Sequence, residues 1–194
     1  MISRIRGKLV ARGVDGVEIA TAGGVVYEIA VPLTVAERLP PLGEEMELRT
    51  VYVVREDHAA LYGFLEVGER LLFQRLLGAS GVGGKVALAM LSTYSAPRLA
   101  RVLAERDVGA LVQVPGIGKK KAEKLVVELA DRVGDLPLDG TEPLGTVGSA
   151  QAAVRALVAL GMSFAEAEGA VRGVLEDGAL TDTNELVRRA LARA

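Results

Sequence analysis

The sequence has no cysteine and no tryptophan, one histidine, and only three phenylalanines and four tyrosines in 194 residues. Without cysteine there are no disulfides and no thiolate metal sites, which fits a cytoplasmic protein. A zinc site or a Ser-His-Asp triad would have to rest on His58 alone, and a lone histidine beside a loop is usually just solvated. No metal and no cofactor is therefore expected. No apolar run approaches the ~20 residues needed to cross a bilayer, and Met1-Ile2-Ser3-Arg4-Ile5-Arg6 lacks the apolar core of a secretory leader. Scarce aromatics also argue against recognition by base stacking.

A positive net charge is missing too: the formal total is −2. Divided by segment, however, the charge is uneven. Residues 1–64 carry 7 basic and 9 acidic side chains, residues 65–134 carry 11 and 7, and residues 135–194 carry 5 and 9. The middle segment is thus the one with an electrostatic footprint for a polyanion.

That segment holds one pattern written twice. Leu76-Leu77-x-x-Ser80-Gly81-Val82-Gly83-Gly84-Lys85-x-Ala87 is followed, 35 residues later, by Leu111-Val112-x-x-Pro115-Gly116-Ile117-Gly118-Lys119-Lys120-x-Ala122. Repetition at one fixed offset with matching chemistry is hard to reach by chance. Each copy reads as an apolar helix, a Gly-x-Gly turn, and a second helix with lysine in its first turn: a helix-hairpin-helix. Glycine permits positive φ and close backbone approach. The opening amides of the following helix have no intrahelical partner and form an anion site. The expected DNA-binding set is Gly81, Gly83, Gly84 and Lys85 in the first copy, with Gly116, Gly118, Lys119, Lys120 and Lys121 in the second. Its ligand is a phosphodiester, and contacts of that kind position a backbone without reading sequence.

Other phosphate motifs fail. A P-loop ending at Lys85 needs glycine at Ala79 and Ser or Thr at Val86, and one ending at Lys119 needs glycine at Gln113. A dinucleotide fingerprint starting at Gly81 or Gly116 needs its last glycine at Val86 or Lys121. Nucleotide hydrolysis is not expected, so the chain reads as a binding protein rather than an enzyme.

The remainder sorts into modules of an α+β protein. Residues 1–64 carry five short strand patterns, with Gly23-Gly24 as a two-residue hairpin signal and Asp15-Gly16 as an earlier turn. They suggest an OB-fold β-barrel. Its aromatics, Tyr27, Tyr52, Tyr62 and Phe64, are few, so it reads as scaffold and oligomerisation surface. Residues 65–134 show helical periodicity, with helices at Ala87–Leu91, Ala96–Ala104, Val108–Val112 and Lys119–Arg132 after a first one around Leu71–Leu76. Residues 135–148 are rich in glycine and proline and read as a flexible linker. Residues 149–194 read as a three-helix bundle: Ser149 caps the first helix, Ser163 and Glu166 form a capping box, and Thr183 opens the third. So short an acidic bundle has a marginal core and reads as a module for a partner protein.

Met1-Ile2-x-Arg4-Ile5-Arg6-Gly7, Arg55-Glu56-Asp57, Leu61-Tyr62-Gly63-Phe64, Gly81-Val82-Gly83-Gly84-Lys85-x-Ala87-Leu88-Ala89, Pro115-Gly116-Ile117-Gly118-Lys119-Lys120-x-Ala122-Glu123 and Val158-Ala159-Leu160-Gly161 together resemble the RuvA family, the bacterial Holliday-junction recognition subunits of a branch-migration machine. The resemblance covers all three modules in order. Gly84 departs from a usual proline and Lys121 from a frequent threonine. The resemblance implies a homotetramer, one or two (an octamer) flanking an open four-way junction, in recombination and repair. It implies that Glu56 and Asp57, beside Arg55, form an acidic pin that repels phosphates at the crossover. It further implies that the acidic bundle binds the hexameric ATPase RuvB, with Leu157, Leu160 and Leu191 as contacts or bundle core, and that the resolvase RuvC is a partner.

Two other readings use the same motif. A helix-hairpin-helix DNA glycosylase or lyase would use Lys120 and Asp139, but Asp139 falls in the Pro/Gly linker and there are few aromatics for a base pocket. A general duplex-DNA scaffold would lack any preference for junctions.

Overall fold

The computed structural model describes residues 1–13, 16–55, 59–138, 149–176 and 182–192. The chain divides into two compact units, Met1–Phe64 with Val147–Ala194, and Leu65–Thr146. Among the described residues no helix is long and apolar enough to cross a membrane.

The first unit begins with β1 (Arg4–Arg12), β2 (Val17–Ala20), β3 (Val26–Ile29), α1 (Leu33–Ala36), β4 (Glu45–Val54) and β5 (Ala59–Phe64). All neighbours in the order β3-β2-β1-β4-β5 are antiparallel. Alternation decides the faces: Ile5 and Leu9 of β1, Ile19 of β2 and Leu48 of β4 point inward, while Arg4, Arg6 and Lys8 point to solvent, as the two-residue period of a strand requires. The sheet curls shut where Ala30, just past β3, bridges Tyr62 of β5 in parallel. Ala30 N donates to Leu61 O and Gly63 N to Ala30 O, both at 2.9 Å. Closure leaves no room for a side chain at Gly63, where a Cβ would lie 2.7 Å from Ile29 Cγ2 and 2.8 Å from Leu48 Cδ1. The result is the OB barrel, with α1 between β3 and β4. Phe64 and Tyr62 are core residues, leaving Tyr52 as the most exposed of the four barrel aromatics.

Local details differ from the sequence-based expectation. The β2–β3 connection has three residues rather than two: Thr21 N donates to Val25 O and Gly24 N to Thr21 O, so Ala22, Gly23 and Gly24 form the loop. A third loop residue lets a turn be followed by a bulge, which keeps the right-handed strand twist. Val14 and Asp15, and with them half of the expected Asp15-Gly16 turn, lie outside the described residues.

The same unit contains α7 (Ser149–Ala159), α8 (Phe164–Glu176) and α9 (Thr183–Leu191). Their apolar faces bury Val154, Leu157, Val171, Leu175 and Leu186. The capping box forms, with Ser163 N donating to Glu166 Oε2 at 2.9 Å and Glu166 N to Ser163 Oγ at 3.3 Å. Thr183 opens α9 as its first residue, and the cap before it is Asp182, whose carboxylate accepts from Asn184 N at 2.8 Å. A carboxylate suits a helix N-terminus better than a hydroxyl because it also meets the positive end of the dipole.

The bundle core includes one residue from the barrel, Leu33 of α1, which is 1% exposed. Its burial contributes ~1.5–3 kcal/mol. Around it, charged side chains bond across the seam, although Arg12 Nε is buried without a partner among the described residues. Arg12 of β1 donates to Leu175 O (2.8 Å), Leu39 O (2.9 Å) and Pro40 O. Arg172 of α8 donates to Val31 O at 2.9 Å and pairs with Glu168 at 3.0 Å. Glu37 accepts from Ala150 N at the start of α7, where a negative charge is favoured.

The second unit is helical: α2 (Val67–Leu77), α3 (Gly84–Thr93), α4 (Ala96–Ala104), α5 (Val108–Val112) and α6 (Lys119–Leu129), the last followed by a 3-10 turn over Ala130–Arg132. Helix α6 is thus shorter than the periodicity predicts, and α3 starts three residues before Ala87. The core gathers Leu72, Phe73, Leu76, Met90, Leu99, Leu103, Leu111, Leu125 and Leu129. Tyr94, at the end of α3, donates its hydroxyl to Ala110 O of α5 at 2.9 Å. Between the two repeats, α4 closes on Arg106 at φ 55, with Arg106 N donating to Leu103 O and Asp107 N to Val102 O. Glycine usually fills this position. Asp107 then caps α5 through Ala110 N at 2.9 Å.

Candidate nucleic-acid interface

The two turns match in their hydrogen bonds as well as in their letters. Gly78 N and Gln113 N donate to Arg75 O and Ala110 O at 3.2 and 3.1 Å. Ala79 N and Val114 N donate to Leu76 O and Leu111 O at 3.0 and 3.1 Å, and Val82 N and Ile117 N to Ala79 O and Val114 O at 3.2 and 3.1 Å. The helix after each turn starts with Ala87 N to Gly83 O and Ala122 N to Gly118 O, at 3.0 and 2.9 Å. Every pair keeps the 35-residue offset.

Two positions explain why the turn needs glycine. Gly81 and Gly116 sit at φ +76° and +80°, a region that costs an L side chain ~1–2 kcal/mol. No atom lies within 4 Å of a Cβ built at either one, so the requirement is backbone conformation rather than crowding. Gly83 and Gly118 are the N-caps in extended conformation, at φ −97° and −84°. Beneath the turns, Val82 and Ile117 are buried like plugs, as are Ala79 and Val114. These apolar anchors fix the loops to the core, so the donors are held in place before any ligand arrives.

Neither α3 nor α6 has a side-chain cap. Among the described residues nothing accepts from the amides of Gly84, Lys85 and Val86, or from those of Lys119, Lys120 and Lys121. Neither first turn holds an acidic residue. Instead Lys85 stands at the second position of α3, and Lys119, Lys120 and Lys121 at the first three of α6. Cations there oppose the helix dipole, at ~0.3–1 kcal/mol each. That local cost is one that an anion bound at the turn would offset. Lys85, Lys119 and Lys120 are exposed, whereas Lys121 is half-buried and reaches back to Gly116 O at 3.4 Å. Gly84 is the buried first residue of α3.

Each turn thus sets free amides beside ammonium groups on long side chains, an arrangement complementary to an anion. The chain is matched by the family model for the RuvA N terminal domain over residues 1–63, by the SAM-like helix-hairpin-helix tandem over 73–131, and by the RuvA C-terminal domain over 151–194. The chain belongs to the RuvA family. The Holliday junction branch migration complex subunit RuvA of Gemmatimonas aurantiaca is 49% identical, with 100% of this chain and 98% of that protein aligned. Those of Pseudomonas putida (43%; 98% and 97%) and Leptothrix cholodnii (42%; 100% and 100%) match along their lengths as well.

The other residues singled out in the sequence fall elsewhere. Glu56 and Asp57, with His58, lie outside the described residues, as does Asp139 of the glycosylase reading. Arg55 is exposed just after β4. Leu157 is fully buried in the bundle core, so it presents no surface to a partner, because the turn spacing of α7 points it inward with Val154. Leu160 and Leu191 are 65% and 47% exposed. Sequence reasoning missed Glu128, whose carboxylate accepts from Ser80 N in the first turn; its only signal was a charged residue on an otherwise apolar stretch of α6.

Proposed function

We propose that this chain binds four-way DNA junctions by their structure and not their sequence, holds them open, and recruits a RuvB motor for branch migration in recombination and repair. The observation that carries this reading is the pair of matched turns, each offering unpartnered amides backed by lysines. Duplex arms would be gripped at Gly81, Gly83, Gly84 and Lys85, and at Gly116, Gly118, Lys119, Lys120 and Lys121, through phosphate contacts that ignore base identity. The names of the aligned relatives, subunits of a Holliday junction branch migration complex, support the same substrate.

In this proposal the chain is a cytoplasmic, non-catalytic subunit, and ATP hydrolysis belongs to its partner. Four copies assemble through their barrels, and Glu56 and Asp57, beside Arg55, face the crossover from the segment between β4 and β5. Carboxylates facing phosphates in a poorly screened pocket raise the energy of a closed crossover and favour diverging strands. The acidic bundle meets RuvB with its exposed leucines, Leu160 and Leu191, and RuvC acts on the same junction.

Gel-shift titration with a four-way junction and with a linear duplex of equal length tests the reading. Tighter binding to the junction, unchanged when its arm sequences are scrambled, is the expected result. Equal affinity for both would leave only a general DNA scaffold, and strand scission of damaged duplex would favour the glycosylase alternative. Removing residues 149–194 should leave junction affinity intact and abolish motor-driven migration.

A further inference from the structure

The two turns differ at one backbone atom. At position 115 there is proline, which has no N–H, and at the matched position 80 there is serine, whose amide is a donor. Both carboxylate oxygens of Glu128 accept from that amide, each at 3.2 Å. Glu128 lies ten residues beyond Gly118, the N-cap of α6, so it stands ~15 Å along the helix from the second set of free amides. Glu128 is itself half-buried.

We infer that Glu128 is a positioning residue, a latch that fastens the first turn to the helix the second turn opens, and so fixes the spacing of the two phosphate receptors. This role rests on the junction-binding reading for its functional consequence. A donor at position 80 is dispensable to the turn itself, since the second copy keeps every matched hydrogen bond without it. Left alone, that amide would hydrogen-bond to water and the exposed loop around Gly81 would gain freedom. A carboxylate acceptor gives a charge-assisted bond, stronger than a neutral one, and proline achieves comparable rigidity at 115 by fixing φ. One copy is stiffened covalently and the other by a side chain borrowed from its repeat.

The test uses the full chain and a synthetic four-way junction. Glu128→Ala should weaken junction binding about tenfold and speed hydrogen exchange in peptides spanning residues 77–83 of the free protein. Glu128→Gln, which keeps an acceptor without the charge, should lie nearer to wild type. The decisive variant is Ser80→Pro in the Glu128→Ala background: it removes the donor and copies the second turn, so affinity should return to within about twofold of wild type. A merely destabilised helix would not be rescued in this way. Unchanged or tighter binding by Glu128→Ala would overturn the latch and make the carboxylate a competitor of phosphate, and failure of Ser80→Pro to restore affinity would also overturn it. If the wild-type chain shows no preference for the junction, the functional reading fails, while the exchange comparison still decides whether Glu128 holds the turn.

Discussion

The first and second hairpins share a backbone and differ in almost everything hung upon it. Both have a glycine at positive φ, an extended glycine N-cap and buried apolar plugs two and five residues before the next helix gets under way. Yet the first is introduced by the 11-residue α2 and the second by the 5-residue α5. The first places one lysine in the opening turn of its second helix and the other places three. Turn geometry is therefore set by a few backbone-determining positions, whereas charge and reinforcement vary independently around it. In the proposed function the amides would supply shape and direction, and the lysines long-range attraction whose size depends on salt.

The largest effect should come from removing that charge unequally. Replacing Lys119, Lys120 and Lys121 by alanine should weaken junction binding far more than Lys85→Ala, with the slope of log K against log salt flattening by ~0.9 for each phosphate that is no longer neutralised. Equal weakening by the single and triple variants, in titrations at several salt concentrations, would break the idea that the hairpins carry different electrostatic loads. An unchanged slope would remove the lysines from the interface.

A middle-sized effect should be the same at both turns. Gly81→Ala and Gly116→Ala each force a side chain into positive φ with open space around it, so each should lower stability by ~1–2 kcal/mol. Denaturant midpoints of the two variants should agree. If only one is destabilised, the turns are not equivalent in conformational energy.

The smallest effect concerns reinforcement. Arg75, in α2, donates to Arg132 O at 2.6 Å and pairs with Asp135 at 3.0 Å, while Ala110, its counterpart in α5, has no side chain to do the same. The side-chain hydrogen bond from Arg75, then a backbone hydrogen bond at Asp135 itself, then the charge of Arg75 hold the Asp135 carboxyl below its ordinary pKa. A depressed carboxyl contributes stability that is present above the usual carboxylate range and lost as pH falls through its lowered value. Arg75→Ala should reduce that acid-side component, seen as a shallower decline of unfolding midpoint below pH ~4. Asp135 is largely exposed and Arg75 partly so, so the change should be slight.

Bulge and cap details show where local signals stop. Ser163 and Glu166 are legible as a capping box because their spacing is a local rule, and the structure forms both bonds. At α9, Asp182 and Thr183 are both acceptable caps by type, and only the folded backbone chose the carboxylate. The same limit applies to Leu157 and Leu160. Both satisfy an apolar pattern along α7, but one is wholly buried and the other mostly exposed, because the helix ends between them. Arg106 is a stronger case: its positive φ closes α4 where glycine is usual, and no residue-type rule would have placed it there.

What the sequence determined by itself was the set of modules and the twin turns, since strand alternation, helical period and glycine at a fixed offset are read within a few residues of one another. What only tertiary structure decided was which groups from distant parts of the chain meet. Leu33 enters the bundle core, Arg12 and Arg172 each satisfy carbonyls across the seam between barrel and bundle, and Glu128 takes the amide of Ser80 from 48 residues away. Such pairings depend on packing directions and on the need to satisfy each buried or half-buried donor, and neither is written in the local order of residues.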